Sequence, residues 1–248
     1  MYMVVLYAVL VAGGRSQSPE QLYQKANEAY QLGKFGEAKD LYEAVHGQGY
    51  ESGELMYNLG NAYYKTGNIA YAIVNYERAL RLIPGDDDLI NNLKVANLMI
   101  TDKIEPAPRL FIWEYWDGLK AAFSLDALTW FVYAMFVVAS AFLSWLVLAR
   151  RFGTKRFALL GAVIFGAFCL AGAGVGVAKY ADLQRVDLAV VVTEIATIKN
   201  SPDPNSTDAF VLHSGVKVQI TDRVNQWVRI RLSDGKVGWM ESTSAEII

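Results

Sequence analysis

Side chains able to carry covalent or acid–base chemistry are sparse in this chain of 248 residues. There are two histidines, His46 and His213, and one cysteine, Cys169. A histidine base or a metal centre needs partners at suitable spacing, and the sequence offers neither residue any. It holds no phosphate-binding glycine loop, no Gly-x-Ser-x-Gly elbow and no Cys–His pair. The densest acidic run, Asp86-Asp87-Asp88, stands just before an apolar helical pattern. Acidic residues there cap the helix and offset its dipole, which accounts for them without a metal. The sequence therefore reads as non-enzymatic, with no cofactor and no metal.

Binding chemistry is better represented. Asn27 and Asn61 are 34 residues apart in matching surroundings. Asn58 precedes Asn61 by one helical turn, and Asn91 or Asn92 continues the row. A primary amide both donates and accepts, so such a row can hydrogen-bond an extended peptide backbone. Its alternative is a set of solvated helix positions. Near the C-terminus, Trp227, Arg229 and Arg231 alternate with Val228, Ile230 and Leu232. On a strand this puts Trp227 and the arginines on one face and the apolar trio in the core. An outward Trp beside arginines is either a binding spot or a cover for a loop of its own domain.

The elements that hold the asparagines form a tandem repeat. Gly33-Lys34 recurs as Gly67-Asn68, Ala38 as Ala72, Tyr42 as Tyr76 and Leu22 as Met56, at a constant offset of 34. Each glycine lies between two helical patterns, where it permits a tight turn. The alanines are small where two helices cross. Pro84 ends the second copy, and the segment from Asp86 reads as a third helix capping the stack. This spacing and residue logic resembles tetratricopeptide (TPR) units, an α-helical solenoid over residues 19–102. The resemblance implies a concave groove lined by the first helix of each repeat. Asn27 and Asn58 match two positions of the TPRs that clamp a carboxylate, but Tyr23 stands where those have lysine.

The chain is 53% hydrophobic, and the excess lies mostly between Leu128 and Ala178. Leu128–Leu148 and Phe157–Ala178 carry no charge. Each is long enough to cross a hydrocarbon core of about 30 Å. The loop between them holds Arg150, Arg151, Lys155 and Arg156 and no acid. By the positive-inside rule this loop is cytoplasmic and both ends of the hairpin are outside. An export signal over residues 1–16, cleaved near Gly14, agrees; an uncleaved anchor or a mis-assigned start is the alternative. Phe111, Trp113, Tyr115 and Trp116 suit either the bilayer interface or a helix packed on the repeats. Gly172 and Gly176 form a small-xxx-small pair for packing the spans or for docking another span. The lipid bilayer is thus an expected partner. Nucleic acid is not, at a net charge of -2.

From Leu188 the pattern changes to short β-rich runs. Gly215, Trp227-Val228, Asp234-Gly235 and Gly238-Trp239 resemble marks of the bacterial SH3 family, implying a small all-β barrel over 187–248. The expected fold is a multidomain membrane protein: TPR solenoid, linker over 103–127, transmembrane hairpin, SH3-like barrel. That order, with the exit segment from Ala96 to Pro106, resembles the BatE branch of the aerotolerance (Bat) family. The resemblance implies an interaction scaffold in envelope stress tolerance. Its implied partners are periplasmic or membrane proteins with von Willebrand A domains and a MoxR-type ATPase. Peptidoglycan is the alternative ligand, bound through the SH3-like domain.

Overall fold

The computed structural model describes residues 18–108, 110–183 and 187–248. The expected export signal lies outside them. Five helices come first: α1 (Pro19–Gln31), α2 (Phe35–Gly47), α3 (Gly53–Lys65), α4 (Ile69–Leu82) and α5 (Asp87–Met99). Their boundaries follow from local chemistry. Ser18 caps α1 in a capping box with Gln21, and Ser52, Asn68 and Asp86 each accept the backbone N–H three residues on. Gly33 (φ +76) and Gly67 (φ +82) turn the chain between paired helices in the left-handed region. Tyr42 and Tyr76, both 1% exposed, fill the space between paired helices. A Cβ on Gly60 would stand 2.6 Å from the Tyr76 ring, so the glycine lets α3 and α4 close on it.

Two long apolar helices form an antiparallel hairpin: α7 (Leu125–Leu148) and α8 (Phe152–Leu183). Both are long and apolar enough to cross a membrane, and only 6% and 17% of their apolar windows are buried. Phe142 stacks on Phe165 (5.5 Å) and meets Phe157 (6.1 Å). Gly161 and Gly172 receive Phe142 and Phe131 of α7. Among the described residues, nothing comes within 4 Å of the Cβ position of Gly176. The short helix α6 (Phe111–Ala122) precedes the hairpin and contacts α8.

The C-terminal region is one antiparallel sheet of seven strands. They are β1 (Leu188–Val191), β2 (Ile195–Lys199), β3 (Asp208–His213), β4 (Lys217–Val224), β5 (Trp227–Arg231), β6 (Val237–Glu241) and β7 (Ala245–Ile247). The spatial order is β3-β2-β6-β5-β4-β1-β7. The sheet is consistent with an SH3-like fold, but the strand pairing does not close the expected barrel: β3 and β7 remain edges. Pairing of β1 with both β4 and β7 directs the β7 edge toward the repeats rather than toward β3.

That edge shares a core with the helices. Val190 and Ile248 belong to the same buried cluster as Tyr76, Ile73 and Leu89. Around it Arg78 of α4 donates to Glu246 (2.6 Å) and to the Ile247 carbonyl (2.6 Å), and Lys217 pairs with Glu77 (2.8 Å). The segment leaving α5 also binds the sheet. Asp102 accepts from the His213 backbone N–H (2.6 Å) and faces its Nδ1 (3.0 Å). Ile104 packs on the sheet's own core, and the Ala107 N–H donates to the Ser233 carbonyl (2.9 Å).

Candidate functional site

The predicted asparagines are held by tyrosines in a pattern that repeats with the helices. In the first copy the Tyr42 hydroxyl donates to Asn27 Oδ1 (2.6 Å) and Asn58 Nδ2 donates to the Tyr23 hydroxyl (2.9 Å). In the second, the Tyr76 hydroxyl donates to Asn61 Oδ1 (2.7 Å) and Asn92 Nδ2 donates to the Tyr57 hydroxyl (3.0 Å). Asn92 Nδ2 also reaches Asn61 Oδ1 (3.0 Å), which links α5 to α3. Each bond ties one helix to the next or to its pair, so the amides are fixed rather than free to rotate. Asn58 and Asn92 keep an amide oxygen that takes no hydrogen among the described residues, ready for a ligand N–H. Asn91 sits one residue, about 100° of helix, from Asn92 and is exposed, away from this network. The row thus runs through Asn27, Asn58, Asn61 and Asn92.

Two of these side chains, Asn61 and Asn92, open onto a cavity of about 390 Å³ lined also by Tyr30, Tyr57, Tyr64, Tyr76 and Val95, with Lys65 at its wall; Asn27 and Asn58 do not line it. Its chemistry is aromatic and amide, with one cation. Spacing alone gave the amides; the tyrosines that lock them were missed, although Tyr23 and Tyr57 obey the same offset of 34. Burial pushes the Tyr42 and Tyr76 hydroxyls well above the ordinary tyrosine range. Burial raises Tyr63 too, helped by the Glu43 carboxylate that its hydroxyl meets. Tyr23 is also raised, by burial and then by Glu54, with hydrogen bonds from Asn58 and Asn27 acting the other way. These hydroxyls therefore stay protonated donors at neutral pH.

The second predicted spot changes more. Trp227 is 5% exposed, so the outward Trp expected from alternation is corrected to a buried one. It opens a central strand, between Val224 of β4 and Glu241 of β6. The Ser242 N–H, bonded to the Gln226 carbonyl (2.8 Å), closes the chain beside it. Arg229 and Arg231 are exposed as expected, while Val228, Ile230 and Leu232 are buried. The aromatic available on that side is Trp239. It is half-buried and pairs across the strands with Arg229 and with Lys199. The four cations of the hairpin loop, Arg150, Arg151, Lys155 and Arg156, sit where α7 ends and α8 begins, and Arg156 lies over the Phe152 ring (4.6 Å). Among the described residues, no group of three or more His, Cys, Asp or Glu is arranged to hold a metal.

Comparison with known proteins divides along the same lines. No curated protein matches the chain. Among solved structures, a TPR repeats protein from Bacteroides fragilis aligns at 13% identity over 67% of this chain and 77% of its own, with a TM-score of 0.29. Residues 196–245 match the family described as bacterial SH3 domain. Residues 23–87, the segment that carries Asn27, Asn58 and Asn61, match the tetratricopeptide repeat family.

Proposed function

We propose that this chain is a membrane-anchored scaffold whose repeat groove holds an extended segment of a partner protein. The observation that carries it is the tyrosine-locked asparagine row, whose Asn61 and Asn92 line a cavity of about 390 Å³. Fixed amides present acceptors at repeat spacing without an ordering cost on binding, the arrangement that favours capture of a peptide backbone. The repeats and the sheet are modules of protein interaction or cell-wall binding. The finer assignment follows the resemblance to the BatE branch. It makes this an inner-membrane component of an envelope stress complex, with its modules in the periplasm and partners of the von Willebrand A and MoxR ATPase classes. The order of modules supports that assignment.

The test places a photocrosslinking residue at Val95, on the groove wall, in native membranes. A peptide from the captured partner is then titrated onto the purified full chain. Asn58→Ala with Asn92→Ala removes both spare acceptors and is expected to weaken binding by about tenfold or more, two hydrogen bonds at about 1 kcal/mol each. Unchanged affinity in a folded double variant refutes the groove.

A second reading gives the sheet a cell-wall ligand. It is favoured by the bacterial SH3 match and by Trp239 set between Lys199 and Arg229. Co-sedimentation of the detergent-solubilised chain with purified peptidoglycan, lost on Trp239→Ala, is the expected result; no co-sedimentation removes it.

A further inference from the structure

Helix α6 carries a broad apolar face that the described residues leave uncovered. None of its residues is buried, and Phe111, Ile112, Trp113, Tyr115 and Leu119 are exposed. At about 100° per residue, Phe111, Ile112, Tyr115, Trp116 and Leu119 share one side, Glu114, Asp117 and Ala121 take the other with Trp113 beside them, and Gly118 borders Phe111. Ile112, Trp113, Tyr115, Trp116 and Leu119 frame a wholly apolar hollow of about 380 Å³. A helix packed on the repeats would have buried these rings.

The polar edge is clamped instead. Lys120 pairs with Asp117 (3.0 Å) and with Asp182 of α8. Lys179 donates to the main-chain oxygens of Lys120 (2.8 Å) and Phe123 (2.5 Å). The clamp sits where the uncharged stretch of α8 ends and that of α7 begins. The clamp holds the C-terminal end of α6 at the end of the hairpin, beside its exposed apolar surface.

We propose that α6 lies in the plane of the membrane surface, its aromatic face sunk at the headgroup–acyl boundary on the side that carries the repeats. This rests on reading α7 and α8 as spans. The occupant is phospholipid: the face stands beside a lipid-facing surface, and its Trp, Tyr and Phe are the residues that settle at that depth, about 5–10 Å into the boundary. Its charges, Glu114, Asp117 and Lys120, include one cation against two acids. Insertion is hydrophobic and does not require anionic lipid. The helix then sets how close to the bilayer the groove is held.

The test uses the full chain with Cys169→Ala, reconstituted in phosphatidylcholine vesicles. Spin labels are placed singly through Ile112→Cys and Tyr115→Cys on the apolar side, and Glu114→Cys and Ala121→Cys on the polar side. Phe136→Cys at mid-α7 is the control. Collision with oxygen, which partitions into lipid, is compared with collision with an aqueous nickel chelate. The expected oxygen-to-nickel ratio at 112 and 115 is several-fold above that at 114 and 121, and below that at 136. Equal nickel access around α6, or exclusion of both reagents at 112 and 115, overturns the proposal while a lipid-buried position 136 upholds the spans. Aqueous access at position 136 removes the spans, and this placement of α6 with them.

Discussion

At Asn58 and Asn92 the same event happens twice: an amide is pinned by a tyrosine hydroxyl from the preceding first helix. The spacing of the asparagines was legible in the sequence because it follows the repeat. Their partners were not, because each bond joins residues that only the helix packing brings together. Trp227 was misplaced for a related reason. Alternation assigns a residue to a face, but whether that face is covered depends on neighbouring strands and turns. The tyrosines give a measurable signature. The folded state holds the Tyr42, Tyr63 and Tyr76 protons more tightly than the unfolded chain does. Above about pH 10, the ordinary tyrosine value, the unfolded chain loses protons that the folded one keeps, so stability falls as pH rises. Thermal melts of the full chain should show a midpoint steady below that pH and dropping above it. Tyr42→Phe should flatten the drop, at a cost near neutral pH of about 0.5–1.5 kcal/mol for the lost bond to Asn27.

At the scale of elements, the five repeat helices and the two spans carry strong local signals: caps, turn glycines and long uncharged runs. The sheet was harder. Strand β7 has only three residues, and β2 and β3 expose apolar Ile195 and Val211, so alternation did not mark them. Contacts between helices were also illegible in detail. Gly172 and Gly176 looked like the packing pair, yet the glycine pressed hardest by α7 is Gly161, whose added Cβ would stand 2.4 Å from the Phe142 ring. Gly161→Val should loosen the hairpin by about 1–3 kcal/mol through overpacking. Phe142→Ala in the same chain should recover part of that loss, since it clears the space. Equilibrium unfolding of the reconstituted chain in mixed micelles reads both. A neutral Gly161→Val would mean that the two helices do not meet there.

For the whole molecule, the sheet takes on the role of the helix that a third repeat would have supplied after α5. Val190 and Ile248 cover the apolar side of α4, and Arg78 fixes β7 in place. Arg78→Glu sets a second acid against Glu246. It should raise deuterium uptake in β1, β7 and α4 while leaving the β5–β6 pairing protected. The docking also bears on topology. Repeats that precede the hairpin touch a sheet that follows it, an arrangement open to a two-span chain only when both modules lie on one side. On the proposed reading of α7 and α8 as spans, the positive-inside rule puts the basic loop Arg150–Arg156 in the cytoplasm. With the loop in the cytoplasm, a phosphatase reporter fused after Ile248 should be active and a cytoplasmic fluorescent reporter at the same point dark. Replacing Arg150, Arg151, Lys155 and Arg156 by glutamine removes the charge bias and should mix the two populations. A reporter that reads cytoplasmic in the unaltered chain would put groove and sheet inside the cell, and the partner with them.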